Sequence, residues 1–499
     1  MNRKQPIKNG NSSLSKLSFA GKFPVVIVCS AIVVVVAVAL RVRGALNDLW
    51  LDEIWSLGIA STLQSPVEIF TKVHRANNHY LNTLILYFLG QHGNWPGYRI
   101  PAVVAGSVAV ILAGLIGYRR DKTNALIAML VTASSYVLVL YSSEARGYAF
   151  VICFSFLSYY LLDLYLDNPR YSVGLLFSLS AILGFISHLV FIHFFVAAFL
   201  WTSWRILQSP RPVVKCMITT IFSCYIVPAA FLAGLYFIDI RRLEIGGGPH
   251  VGLLDGYTES LAWSVGAPAT DLTQKIGIVI AAAGLIAGLW ILWREKSSSF
   301  VFFLSVIVLA PLGLALFGHT EMFYARFFII GTAFLSILLS FVLARIYERG
   351  SAGRVICSVL LAAYVAANGC HIAILFKYGR GQITEAIRFM AQHSDQRVMK
   401  IGGDDDFGTL FVLSFYAQNV FQNIKPHYIP QASWPEGGLD WIICETEPVP
   451  GSKQLADRWH NSYELAELFP AASPSGFDWF LYRHKTAVEE AASHDQEHE

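Results

Sequence analysis

Apolar residues in this chain gather in long runs at 24–40, 100–118, 124–141, 148–166, 172–187, 188–206, 213–238, 273–293, 299–317, 327–345 and 355–376. The runs are close to the roughly 20 residues that carry a helix across the hydrocarbon core of a bilayer. The pattern predicts about eleven transmembrane helices, with 172–206 read either as two short helices or as one long tilted one. The segment 79–90 is apolar but too short to span. Its Leu81, Leu84, Ile85, Phe88 and Leu89 form one helical stripe, as expected for a helix lying in the membrane interface.

Charge orients the helices. With the N-terminus inside, the inner connections hold Arg119, Arg120, Lys122, Arg170, Arg205, Arg211, Lys215, Arg294, Lys296, Arg345, Arg349 and Arg354. The short outer connections hold only Arg146, Arg241, Arg242 and Arg326. This asymmetry follows the positive-inside rule and places the C-terminal region outside. Basic residues precede the first run, but it ends at Arg41-Val42-Arg43 with no small-residue cleavage site, so it is expected to be a span and not a removed leader.

The pattern divides the chain into a cytoplasmic segment 1–22, a membrane domain 23–376 with a large outer loop 42–99, an outer α/β domain 377–485, and a disordered acidic tail 486–499. In the loop, Ser65-Pro66-Val67-Glu68 reads as the capped start of a short helix. In the outer domain, 383–393 and 407–418 are helix-like, and 397–401, 439–444 and 477–483 are strand-like. The fold class is thus an all-α polytopic membrane protein with a small C-terminal extramembrane α/β domain.

Composition agrees. Of 499 residues, 55% are hydrophobic and 14% charged, too few charges to cover a soluble protein of this size. The net charge of +3 gives no nucleic-acid signal, and the seven cysteines form no CxxC pair, which argues against a disulfide framework or a zinc ribbon.

Candidate chemistry gathers at the outer ends of the runs. Asp52-Glu53 begins the first outer loop, where a carboxylate pair is either a general base with its neighbour or a solvated helix start. Glu144-Ala145-Arg146 is squeezed between two runs, either as a structural ion pair or with Glu144 facing the same pocket as Asp52 and Arg146 supporting it. Arg99 and Arg326 stand at outer helix ends, where a guanidinium either snorkels or grips a lipid-linked phosphate, and Arg241 and Arg242 are weaker candidates for that task. His74, His79, His188, His193 and His319 also fall near this face, without diagnostic metal spacing. Asp404-Asp405-Asp406 follows two glycines and is better explained by helix capping than by a metal.

The order of these motifs resembles the GT-C glycosyltransferases, in particular bacterial relatives of protein O-mannosyltransferases and of the lipid A aminoarabinose transferase. The residues that carry the resemblance are Asp52-Glu53, Asn77-Asn78-His79, Tyr98-Arg99-Ile100-Pro101-Ala102, Tyr141 through Tyr148, Ser187-His188 and Phe323-Tyr324-Ala325-Arg326-Phe327-Phe328. It extends over about residues 24–346 and is strongest in the first 150. The resemblance implies inverting, metal-dependent or metal-assisted transfer of a sugar from a polyprenyl-phosphate donor. The acceptor would be a glycan, lipid A, another lipid or a protein, at the outer face of a bacterial inner membrane. In that reading Asp52 is the base with Glu53 beside it, Glu144 lines the acceptor side, and Arg99, Arg326 and Arg146 contact the carrier phosphate. Many relatives have His-Pro-Pro where this chain has Asn77-Asn78-His79-Tyr80, which leaves the metal or acceptor role of His79 open. A transporter or flippase of lipid-linked sugars, and a lipid-linked glycan polymerase or ligase, are the competing readings.

Overall fold

A computed structural model describes residues 22–90, 94–210, 212–244, 250–267, 272–317, 322–394, 398–419, 425–448 and 450–485. The expected N-terminal segment before residue 22, the acidic tail 486–499 and His319 lie outside the described residues. The helices in chain order are α1 (Lys22–Gly44), α2 (Leu51–Thr62), α3 (Tyr80–Leu89), α4 (Trp95–Tyr118), α5 (Lys122–Ser134) and α6 (Tyr136–Tyr141). Then come α7 (Tyr148–Asp167), α8 (Tyr171–Ser187), α9 (Phe191–Leu207), α10 (213–238), α11 (Leu253–Ser264), α12 (Leu272–Arg294) and α13 (299–317). The last are α14 (Ile329–Tyr347), α15 (Gly350–Tyr378), α16 (Ile383–Gln392) and α17 (Asp406–Asn419). Each of the eleven apolar runs is helical. Among the described residues seven helices are long and apolar enough to cross a membrane, with several shorter apolar ones beside them. The chain is an integral membrane protein.

Departures from ideal spans have local causes. The run 124–141 breaks at Ser135, which adopts an extended backbone between α5 and α6. The freed Tyr136 N–H donates to the Asn368 side chain of α15 at 2.7 Å, so a polar group from a neighbouring helix caps the break. The ambiguous stretch 172–206 is two helices, separated at His188–Val190. Helices α10 and α13 each contain a π-helical turn, and hydroxyls from other elements satisfy carbonyls there: Ser178 donates to Cys224 at 2.9 Å and Tyr257 to Ile307 at 3.1 Å.

Helices α4, α7 and α14 form the buried centre, while α1, α10, α12 and α15 present apolar surface outward. At mid-bundle Phe156, Tyr159, Phe194, Trp201, Phe302, Phe303 and Phe334 pack as one layer, with Tyr159 stacked on Trp201 at 5.1 Å between ring centroids. At the C-terminal ends of α4, α7, α9, α12 and α14 a cavity of about 1030 Å³ opens. Its charges are matched across helices: Arg119 and Arg205 both pair with Asp163 and Asp167, and Glu295 pairs with Arg120 and Arg345.

The segment 79–90 forms the expected short helix, but its stripe is divided between surface and core. Phe88 and Leu89 of α3 are exposed, Leu81, Leu84 and Ile85 are half-buried against neighbouring cores, and the polar Asn82 and Thr83 are buried. Ser65-Pro66-Val67-Glu68 leads only to a single helical turn, Glu68–Thr71. The Glu68 carboxylate accepts from the Gln64 N–H and pairs with Lys72, and makes no capping box with Ser65.

The C-terminal region builds a six-stranded sheet from β1 (Val398–Gly403), β2 (Lys425–Tyr428), β3 (Trp441–Cys444), β4 (Gln454–Ala456), β5 (Ser462–Phe469) and β6 (Trp479–His484). The order is β2-β1-β3-β6-β5-β4, parallel from β2 to β3 and antiparallel beyond. The three aspartates serve local structure: Asp405 caps α17 through Phe407 N–H and Gly408 N–H, Asp404 accepts from Glu445 N–H, and Asp406 from the Tyr428 hydroxyl.

One face of this sheet does not stand alone. Met399, Ile401, Trp441, Ile443 and Leu481, together with Ile387, Met390, Leu413 and Tyr416, share a single core with Leu49, Ile54, Leu57 and Ala60 of the first outer loop. Tyr416 donates to the Leu49 carbonyl at 2.9 Å, and Asp48 accepts from Thr384 N–H and hydroxyl at 2.7 and 2.9 Å. The domain is thereby fused to the segment that carries Asp52 and Glu53.

Burial beside Asp405 and Asp404 pushes the Glu445 carboxyl up to about 8. The folded protein then keeps a proton that the unfolded chain releases near the ordinary carboxylate value, so stability falls as pH rises from that value through about 8. Glu445→Gln is expected to raise the melting temperature by a few degrees at pH 8 or so and to leave it unchanged near pH 4, as read by scanning fluorimetry.

Candidate functional site

The first turn of α2 sends two adjacent carboxylates into different environments, because neighbours on a helix point about 100° apart. Glu53 turns inward. It meets Arg99 through Oε1 to Nε at 2.7 Å and Oε2 to Nη2 at 2.6 Å, and both side chains are fully buried. The remaining Arg99 donors go to the carbonyls of Ala45, Asn47 and Asp48 and to the Asn47 side chain. Glu53 also accepts from Ala145 N–H at 2.7 Å, which ties α2 to the 142–147 connection. Burial works to raise the Glu53 pKa, yet the Arg99 charge outweighs it and holds the carboxyl below its ordinary value.

This geometry corrects two expectations. Arg99 is not an open phosphate clamp, because its guanidinium is enclosed and its donors are consumed. Glu53 stands next to Asp52 in sequence but is part of the scaffold, with no face towards an acceptor.

Glu144 corrects a third. It is fully buried and pairs with Arg380 at 3.0 Å, not with Arg146. Arg380 also donates to the carbonyls of Gly44 and Leu140, the Asn47 side chain and the Ser143 hydroxyl. It joins the end of α15 to the 142–147 connection. Its flanking Gly379 and Gly381 have φ of 63° and 118°, a backbone that glycine adopts without strain and that lets the chain fold tightly around the guanidinium. Sequence reading passed over Arg380; a Gly-Arg-Gly directly beyond the last span was the available signal.

Asp52 turns the other way and remains partly open, its side chain 14% exposed. Its carboxylate is held between two guanidiniums from distant parts of the chain, Arg146 and, at 3.3 Å, Arg326. Arg146 is fixed further by Asn77 Oδ1 at 2.6 Å and lies against the rings of Trp50 and Tyr148. Asn77 donates in turn to the Asp52 carbonyl and the Ser56 hydroxyl, so the Asn77-Asn78-His79 segment braces the first turn of α2. Arg326 lies 4.8 Å from the Tyr324 ring and keeps 26% of its side chain exposed.

Around this centre stand the rings of Tyr141, Tyr148, His79 and His188. Tyr148 lies 4.7 Å from Tyr141, 4.9 Å from His188 and 5.4 Å from His79. Close approach requires Gly147: a Cβ there would lie 2.1 Å from the Ser187 carbonyl oxygen. The other histidines are elsewhere. His74 pairs with the buried Asp239, His193 lies against Phe328, and Arg241 and Arg242 are exposed.

The set is therefore one carboxylate and two arginines, cationic overall, rimmed by tyrosines and imidazoles. It suits an oxyanion. A divalent metal does not fit these residues: among the described residues no three of His, Cys, Asp and Glu converge, and the only carboxylate at the centre is already neutralised by two guanidiniums.

No family model matches the chain, and no curated protein matches it. Among solved structures it is similar to ArnT from Cupriavidus metallidurans in the apo state, with 13% sequence identity and a TM-score of 0.49 over 93% of this chain and 98% of that one. It is also similar to ArnT from Cupriavidus metallidurans bound to undecaprenyl phosphate, with 12% identity and a TM-score of 0.46 over 92% and 97%.

Proposed function

We propose that this chain is a glycosyltransferase that moves a sugar, with inversion, from a polyprenyl-phosphate donor to an acceptor at the outer face of a bacterial inner membrane. The observation that carries the reading is Asp52, a partly open carboxylate gripped by Arg146 and Arg326. Arg146 and Arg326 stand just before the first turns of α7 and α14, and a lipid-linked phosphate presents its charge beside such helix ends. The N-terminus lies inside and the sheet domain outside, from the distribution of basic residues.

Before donor binds, Asp52 neutralises the arginines. An arriving phosphate draws the more exposed guanidinium, Arg326, to its own oxygens, which frees a carboxylate oxygen of Asp52 to face the acceptor. The acceptor O–H or N–H then attacks the anomeric carbon as the bond from that carbon to the phosphate oxygen breaks. The proton passes to Asp52, and polyprenyl phosphate departs as an anion stabilised by arginine. Every step uses side chains of this protein, and none is routed through a metal.

A transporter is favoured by one feature, the inner-end cavity. Between it and Asp52 lies the packed aromatic layer, which offers no path for a sugar phosphate.

The test is consumption of a radiolabelled polyprenyl-phosphate sugar pool by purified protein supplied with acceptor membranes. Wild type is expected to consume donor, and Arg326→Gln to lower kcat/KM by about ten- to a hundredfold, the effect of one charge-assisted phosphate contact. Transbilayer movement of label without any sugar release would overturn the enzyme reading.

A further inference from the structure

A neutral imidazole has one donor and one acceptor nitrogen, and whichever partner sits at one nitrogen decides the other. In His79, Nδ1 accepts from Gly147 N–H at 2.9 Å. In His188, Nδ1 accepts from Val190 N–H at 3.1 Å. Backbone donors thus occupy the acceptor nitrogen of both rings and put the proton of each on Nε2. Neither ring can take up a proton at Nε2, since that nitrogen already carries one, and protonation at Nδ1 would break the backbone bond. Both are donors and neither is a base.

The two rings are packed together, 4.5 Å between centroids, and Tyr148 touches both. Tyr148 in turn carries the Arg146 guanidinium that holds Asp52. Arg146 and Arg326 both lie within electrostatic reach of the rings. Burial, with His188, Arg146 and Arg326 alongside, pushes His79 well below the ordinary imidazole value, so it remains neutral through the physiological range. Among the described residues no protein acceptor stands at either Nε2. Two unspent donors beside a cationic centre call for an oxygen-rich ligand.

Resting on the glycosyl-transfer reading, we infer that His188 and His79 are a donor-only pair that hydrogen-bonds oxygens of the bound sugar phosphate through Nε2–H. Such a pair reads the position of acceptor oxygens on the donor molecule without competing with Asp52 for the proton. His188 is the more exposed of the two and makes the primary contact. Its location in the turn between α8 and α9, with Nδ1 held by Val190 N–H, sets the ring by backbone geometry.

Replacement by amides separates the two nitrogens. His188→Asn keeps an acceptor where Nδ1 was and loses the distal donor; His188→Gln offers an amide N–H near the former Nε2 and gives up Nδ1. Equilibrium binding of polyprenyl-phosphate sugar and of sugar-free polyprenyl phosphate to the purified full chain is measured alongside turnover. The expected result is about tenfold weaker binding of the sugar donor in His188→Asn, retention within about threefold in His188→Gln, and unchanged melting temperatures. If the contact is to phosphate, sugar-free carrier weakens in parallel; if to the sugar, it does not. Turnover of wild type is expected to show no acid limb assignable to either imidazole between about pH 5.5 and 8.

The opposite ranking, with Asn like wild type and Gln impaired, would make the ring a strut for Val190 and overturn the inference. Equal loss in both variants at full thermal stability would overturn it as well. Should either His188 variant fail to fold, His79→Asn and His79→Gln give the same comparison. Failure of wild type to bind either carrier would sink the transferase reading itself, a separate outcome.

Discussion

Asp52→Asn is expected to lower kcat by about 10² to 10⁴, the usual contribution of a general base, while donor affinity stays the same or improves. The sign of the second effect follows from the charges. Among the described residues Asp52 is the only carboxylate paired with Arg146 and Arg326, so removing its charge leaves two guanidiniums to attract the phosphate. Asparagine is nearly isosteric and keeps one oxygen towards Arg146, so the fold should hold. Steady-state kinetics with donor titration, together with direct donor binding, separate the two parameters. A kcat within threefold of wild type would remove Asp52 as the base, whatever happened to affinity.

The second large effect is on stability. Glu53→Gln leaves the Arg99 guanidinium enclosed without its counter-charge, and breaking a buried pair in this way costs about 3–5 kcal/mol. Because Arg99 holds the Glu53 carboxyl below its ordinary value, the contribution of this pair is complete above that value and is lost as pH falls through the depressed one. Thermal unfolding in detergent should therefore show a large loss for Glu53→Gln or Arg99→Met at neutral pH, shrinking in acid. The double variant Glu53→Gln/Arg99→Met should cost less than the sum of the two, since no charge is then left unpaired. Additivity of the single variants would refute the pair as a unit. Loss of activity in Glu53→Gln would accompany loss of structure, which distinguishes it from Asp52→Asn.

Much of the fold was legible because a membrane imposes a one-dimensional signal. Runs near the spanning length became helices, and basic residues gathered at one end of the bundle, where Arg119, Arg120, Arg205 and Arg345 line the inner cavity. The short connection at His188–Val190 was ambiguous because apolar residues continue through it. Strands β2, β4 and β5 escaped notice: Lys425–Tyr428 and Gln454–Ala456 are too short for an alternating pattern, and Ser462–Phe469 is largely exposed.

Side-chain pairing was harder to read than helices. Asp52-Glu53 and Glu144-Ala145-Arg146 are adjacent in sequence, yet each motif is split in space. The inner carboxylates, Glu53 and Glu144, join Arg99 and Arg380, while Asp52 and Arg146 find each other. Sequence proximity suggested local ion pairs; burial decided otherwise, since an enclosed carboxylate needs an enclosed partner and takes whichever arginine the packing delivers. Of the proposed phosphate contacts, Arg326 and Arg146 stand with Asp52, and Arg99 is enclosed with Glu53. The imidazole tautomers depend on Gly147 and Val190, backbone partners that no composition or spacing reveals.

The common core of the first outer loop and the C-terminal sheet fixes an order of events during synthesis. Leu49 and Tyr416 are bonded across 367 residues, and Asp48 and Thr384 across 336. The first turn of α2 leaves the ribosome early but cannot be enclosed until the sheet has been made, a long-range closure that is slow by nature. Asp52 is thus translated early, while the core that packs against its helix is among the last parts of the fold to be completed. A chain halted before β6 is made would already hold every apolar run, and would still lack part of the core that packs against α2.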